Sequence, residues 1–176
     1  SAVPGQALYP VKRAVEQAQM ALTTRQSSRL ELEVAFDQRR MLEAETLLHA
    51  DKIQAVTFAG FLWEDPQQGW FVDLVKLTLT PEQEVMAYTL DGSYVEIKGV
   101  VRGEAGVEVS ELKLRLYHLD GILENVQAEK WVVSGVTVQI QPSTQVIGEP
   151  KKGMRVDLTA VRLKDGQYLA LSAKPA

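Results

Sequence analysis

The chain reads as an α+β protein: an N-terminal helical hairpin followed by two tandem small five-stranded antiparallel β-barrels of the OB or SH3 kind. Three observations predict this. Apolar side chains recur at helical spacing through the first fifty or so residues. After Ile53 the pattern becomes short β-type runs broken by Gly, Pro and Asp. Those runs then occur twice in a single register.

In chain order, Val11, Val15, Ala18 and Leu22 share one helical face behind Pro10, whose fixed φ suits a first turn, and Thr23 or Thr24 offers the stop or the next cap. This predicts one short amphipathic helix. From Ser27 or Ser28 to about Ala50 neither Gly nor Pro intervenes, and a second, longer helix is expected. Leu30, Val34, Met41, Ala44 and Leu48 form its stripe, which Leu32, Phe36 and Leu42 widen. Arg29, Arg39 and Arg40 alternate with Glu31, Glu33, Glu43 and Glu45 on the remaining surface, which is expected to be solvated. Apolar surface that the two helices cannot bury in each other must pack on a barrel or on a partner chain; intramolecular docking is the expectation ahead of dimerisation.

The repeat supplies the domain map. A shift of 61 positions carries Gly60 onto Gly121, Leu62 onto Leu123, Trp70 onto Trp131, Val72 onto Val133 and Pro81 onto Pro142. Without a gap, the same register pairs Val85 with Val146, Gly92 with Gly153, Val95 with Val156 and Val100 with Val161. Shared β composition does not hold Trp, Pro and turn glycines in step, so the segment is read as duplicated. The divisions are 1–52 for the hairpin, 53–116 for the first barrel and 117–176 for the second. In the second copy, strands are expected at 117–125, 131–133, 136–140, around 156–161 and around 169–171, with turns at Ser134-Gly135 and Asp165-Gly166 and a break at 142–144. The first copy is expected to follow the same plan with the longer loop Glu64 to Gly69 and the turn Asp91-Gly92. Five short strands with two open edges would invite pairing with other chains, so closure is the economical arrangement.

Composition narrows the function classes. With 176 residues, 45% of them hydrophobic and 24% charged, the chain can bury a core. No apolar run approaches the ~20 residues that cross a bilayer. The absence of cysteine removes thiol catalysis, disulfides and Cys-based zinc sites, without fixing the compartment. The net charge of −4 divides into 0 for 1–52, −5 for 53–116 and +1 for 117–176. Aromatic platforms for single-stranded nucleic acid need a basic groove, yet Phe58, Phe61, Trp63, Trp70, Phe71, Tyr88 and Tyr94 crowd into the acidic segment. Nucleic acid is therefore not an expected partner. Aromatics among acids and amides suit a carbohydrate or a peptide. The counterpart of Trp63 in the other copy is Glu124, so the shared fold does not demand that Trp; Trp63, Tyr88 and Tyr94 are the candidate ligand-binding residues. Trp70 and Trp131 occupy equivalent places and read as barrel core.

Signals for catalysis are weak. His49 and His118 each precede an aspartate by two positions, Asp51 and Asp120, a spacing that shares no helical face and closes no metal site. There is no Gly-x-Ser-x-Gly elbow and no Gly-rich phosphate loop, and a triad would have to be assembled from Ser93, Ser110 or Ser134. Neighbouring carboxylates such as Glu43 with Glu45 and Glu64 with Asp65 read as solvated. The expectation is a non-enzymatic protein without cofactor or metal; a hydrolase would require a deep pocket holding His118 beside a buried carboxylate.

Two resemblances add a context. The string Pro4-Gly5-Gln6-Ala7-Leu8-Tyr9-Pro10-Val11-Lys12-Arg13, followed by Glu16 and Met20-Ala21-Leu22-Thr23, resembles a helical bacterial domain of unknown function. In that family such a string follows a single membrane-spanning helix, commonly in proteins resembling membrane-bound anti-sigma factors. The likeness covers 1–52, with Gln6 standing where an acidic residue is common. The C-terminal copy resembles a second family of unknown function, through Gly121, Trp131, Val133, Gly135, Pro142, Thr144, Gly148, Gly153, Asp165 and Gly166. The first copy keeps Trp70, Val72 and Pro81, and has Leu74 and Gln83 at the places of Gly135 and Thr144. Together the resemblances imply an extracytoplasmic sensory or scaffolding module of a membrane-anchored regulator. It would be a monomer or weak dimer, engaging an unidentified ligand or protein and touching the membrane only through a helix outside this chain.

Overall fold

Helices α1 (Tyr9–Leu22) and α2 (Gln26–Leu48) open the chain in the computed structural model, which describes residues 2–23 and 25–176; the cap considered at Thr24 lies outside them. The first barrel follows as β1 (Ile53–Asp65), β2 (Gly69–Val72), β3 (Val75–Thr78), α3 (Pro81–Leu90), β4 (Tyr94–Arg102) and β5 (Val107–Leu114). The second comprises β6 (Leu116–Val126), β7 (Lys130–Val133), β8 (Val136–Gln139), β9 (Gln145–Val146), β10 (Arg155–Arg162) and β11 (Tyr168–Pro175). The compact units are drawn differently from the three sequence segments. One holds Ser1–Met20 with Glu33–Leu114, the other Ala21–Leu32 with Arg115–Ala176, so the helical segment is shared out between them.

The first barrel closes in the order β1-β2-β3-β5-β4, with β1 antiparallel to β4 from Ile53↔Arg102 to Phe61↔Tyr94. Closure also uses one parallel pair, β3 with β5, where Leu77 lies opposite Val107. This is the strand order of an OB-type barrel. The second unit repeats it: β6, β7 and β8 form a meander, β8 pairs in parallel with β11, and β10 joins β11 back to β6. Three strands of the first barrel (69–72, 75–78 and 107–114) fall on those of the second (130–133, 136–139 and 168–175) at a shift of 61.

Local geometry is repeated as well. Asp73 and Ser134 hold positive φ, 47° and 44°, and their side chains accept from the backbone N–H of Phe61 at 3.3 Å and of Ile122 at 2.9 Å. That turn crosses β1 and β6 so closely that a Cβ on Gly60 would lie 2.3 Å from Asp73 Oδ2, and one on Gly121 2.3 Å from Ser134 Oγ. Glycine is required by proximity at both places. A register shift falls between Lys98 and Gly99 in β4 and between Thr159 and Ala160 in β10, again equivalent positions.

The copies part at one element. The first has helix α3, which the expectation of a common plan had missed; the second has only β9. Thr80 caps α3 by accepting from Gln83 N at 3.2 Å while the Gln83 side chain accepts from Thr80 N at 2.9 Å, and Pro81 opens the first turn. Ala87 is buried in the barrel core. The equivalents of Ala87 and Thr89 are Gly148 and Pro150, and that pair removes helix propensity and a backbone donor. In the first unit Met41, Ala44, Leu47 and Leu48 of α2 join Phe58, Leu62, Trp70 and Ile97 in one core. The second unit buries Tyr117, Leu119, Leu123, Trp131 and Leu158.

Candidate functional site

Helix α1 is amphipathic as expected but is turned the other way. Lys12, Arg13 and Glu16, at positions i, i+1 and i+4, point inward, and Glu16 is 3% exposed. The apolar stripe lies outside, with Val15 at 52% and Leu22 at 81% exposure, alongside exposed Leu8, Val11 and Ala18. The reason is α2. Its apolar residues enter the barrel core, leaving Asp37, Arg39, Arg40 and Glu43 as the row that meets α1. Lys12 pairs with Glu43. Glu16 takes Arg13 at 3.0 Å, Arg39 at 3.3 Å and Arg40 at 3.7 Å, and Arg40 also reaches Asp37 at 3.4 Å. As the α1 number rises the α2 number falls, so in this unit the helices run antiparallel.

Glu43, expected to be solvated, is thus buried at 4% exposure, and Asp37 is buried at 2%. Burial pushes the Lys12 ammonium below its ordinary value, with Glu16 acting in opposition. Burial followed by the Arg13 charge does the same to Arg40. In such a network each ion loses its water, a cost that offsets much of the attraction between the charges.

The predicted ligand-binding aromatics do not form one platform. Trp63 stacks on Phe71 across β1 and β2, with ring centroids 4.9 Å apart, and its indole N–H donates to the Asp73 carbonyl at 2.8 Å. Tyr88, on α3, packs edge-on against Trp70 at 5.1 Å and donates to Glu64 Oε1 at 3.2 Å. Because Trp63 and Glu64 are consecutive in a strand, they point to opposite faces, and so Trp63 and Tyr88 are separated by the barrel wall. Tyr94 is 3% exposed with its ring 4.8 Å from Phe61, which corrects its assignment as a ligand-facing residue.

Both histidines are exposed. His118 borders a shallow groove of about 370 Å³ with Gln145, Asp157, Thr159, Ser172 and Lys174. Its Nδ1 lies 3.3 Å from Thr159 Oγ1, and Asp157 is held by Lys174 at 3.5 Å. The deep pocket with a buried carboxylate that a hydrolase needs is not formed around this histidine. Among the described residues no three His, Asp or Glu side chains gather as a metal set. Among those residues, too, no helix is long and apolar enough to cross a membrane.

An ion-paired helical segment joined to two OB-type barrels defines the class of architecture, and the comparisons fall on its two ends. Residues 1–59 match the model of a domain of unknown function, DUF5667, and residues 120–174 match that of another, DUF5666. Among solved structures the chain is similar to apo-CusF residues 6–88 from Escherichia coli. The two are 17% identical, covering 38% of this chain and 94% of that one, with a TM-score of 0.31. No curated protein matches the chain.

Proposed function

We propose that the chain is a non-enzymatic extracytoplasmic scaffolding module of a membrane-anchored regulator resembling an anti-sigma factor, and that it acts by presenting α1 to a protein partner. The observation that carries this reading is the inverted helix. Lys12 and Glu16 pair with charges of α2 and Arg13 pairs with Glu16, which leaves an exposed face made of Leu, Val, Ala and Gln without a single ion. A partner for such a face is apolar and uncharged, because nothing on α1 would compensate a charge buried there. The context, an anchor upstream of the Pro4–Arg13 string, rests on the resemblance of that string to segments that follow a membrane helix.

The test uses the full-length protein in its own cell. A photo-crosslinking residue at Val15 is expected to give one discrete protein adduct in the membrane fraction, and one at exposed Gln141 none. A fused C-terminal alkaline phosphatase is expected to be active. Cytoplasmic fractionation, or adducts at Val15 with lipid alone, would overturn the reading.

A further inference from the structure

Opposite the α1 stripe, within the first unit, lies a cleft of about 470 Å³ to which the partner reading assigns nothing. Its floor is the outward face of β1 and β4, where the Cα partners Ala55↔Val100 and Thr57↔Lys98 lie side by side. Tyr9 and Arg13 of α1 and Arg40 of α2 form the walls, and Ser110 of β5 completes the rim. Arg13, Arg40 and Lys98 all line this space, and no carboxylate does.

The acids that pair with these cations do not line the cleft. Glu16 serves Arg13, Arg39 and Arg40 together, Asp37 serves Arg40, and Glu111 holds Lys98 at 3.3 Å. Among the described residues, the ion pairs of the helix network join Lys12, Arg13, Arg39 and Arg40 to Glu16, Asp37 and Glu43. The charged side chains that line the cleft are all cations. The Nε–H of Arg40 is moreover buried without an acceptor, in a residue whose guanidinium burial already disfavours. A buried donor left open is costly, and the guanidinium that carries it belongs to a residue lining the cleft.

We infer that the cleft between α1, α2 and the β1–β4 face is a binding site for a small, multiply charged oxyanion, a phosphate or polycarboxylate, held by Arg13, Arg40 and Lys98. Planar guanidinium groups suit either anion, while the ammonium of Lys98 adds a point charge from the floor. Ala55, Val100 and the ring of Tyr9 leave room for a short organic body behind the charged head. The site is independent of the outer α1 face, so the two readings fail separately.

Calorimetric titration of the whole protein at low salt, with inorganic phosphate, pyrophosphate and citrate as probes, tests it. Pyrophosphate or citrate is expected to bind more tightly than phosphate, with an affinity that falls as salt rises. Because Arg40 also supports the helix pair, Lys98→Gln is the informative variant; its side chain is half exposed and its loss leaves the core untouched. Lys98→Gln is expected to weaken binding about tenfold, the worth of one charge-assisted hydrogen bond, while Lys174→Gln on the second barrel changes nothing. No heat with any probe at millimolar concentration, or equal binding by Lys98→Gln, overturns the proposal. Tighter binding of citrate than pyrophosphate would assign the ligand to the carboxylates, and the reverse order to the phosphates.

Discussion

Glu16 and Val15 are neighbours in α1 with opposite fates, and they make the sharpest test of the inverted helix. Glu16 is the hub of three ion pairs in a buried setting. Removing its charge leaves Arg13, Arg39 and Arg40 without their common acceptor, and losing one partner of a buried network costs about 3 kcal/mol. Glu16→Gln is therefore expected to lower the urea midpoint by that equivalent. Val15→Glu, a change that would wreck a conventional amphipathic helix, is expected to move stability by less than about 0.5 kcal/mol, as surface substitutions do. Equal losses in the two variants would show α1 packed by its apolar side. The sequence could not show this orientation, because hydrophobic periodicity reports that a helix has two faces and not which one is covered. What turns it is a remote match: Lys12 and Glu16 have partners at Glu43, Arg39 and Arg40, some twenty to thirty positions on. The same blindness assigned Tyr94 to a ligand, although composition does place it among aromatics.

At the scale of elements, α3 shows a signal that was present and passed over. The string Thr80-Pro81-Glu82-Gln83 carries a capping box and a first-turn proline, and no Gly or Pro follows until Gly92. Aligning Pro81 with Pro142 hides it, because in the second copy the same proline begins an irregular segment. Thr80→Ala is expected to destabilise the first unit by about 1 kcal/mol, the usual worth of an N-cap, and to raise amide exchange through Pro81–Leu90 before it affects β1 or β4. An unchanged exchange profile would mean that Ala87 in the core, rather than the cap, holds the helix. Elements set by short-range rules, such as β6 to β8 and the turn at Ser134-Gly135, were readable to within a residue or two, while β11 runs four residues past the 169–171 expected for it and β9 was not expected. The parallel pairs β3–β5 and β8–β11 were not, since closure joins residues about thirty positions apart with no local mark.

For the whole molecule, duplication makes Trp70 and Trp131 a matched pair of probes. Each is buried in its own core, at 4% and 6% exposure. Trp→Ala at either site is expected to cost about 3–5 kcal/mol, with Trp70→Ala lowering exchange protection in β1–β5 and Trp131→Ala in β6–β11. Protection lost across both barrels from either change would mean that the two units unfold as one. The gap-free spacing also has a consequence for how the chain is made. Every loop of one barrel has the length that the other requires, so β11 can reach the slot beside β3 as well as the slot beside β8. During synthesis the first barrel can close before β11 leaves the ribosome, and order of emergence sorts the strands. A chain diluted from denaturant has all its strands at once. Its refolding is expected to be slower and to pass through cross-paired species that translation avoids.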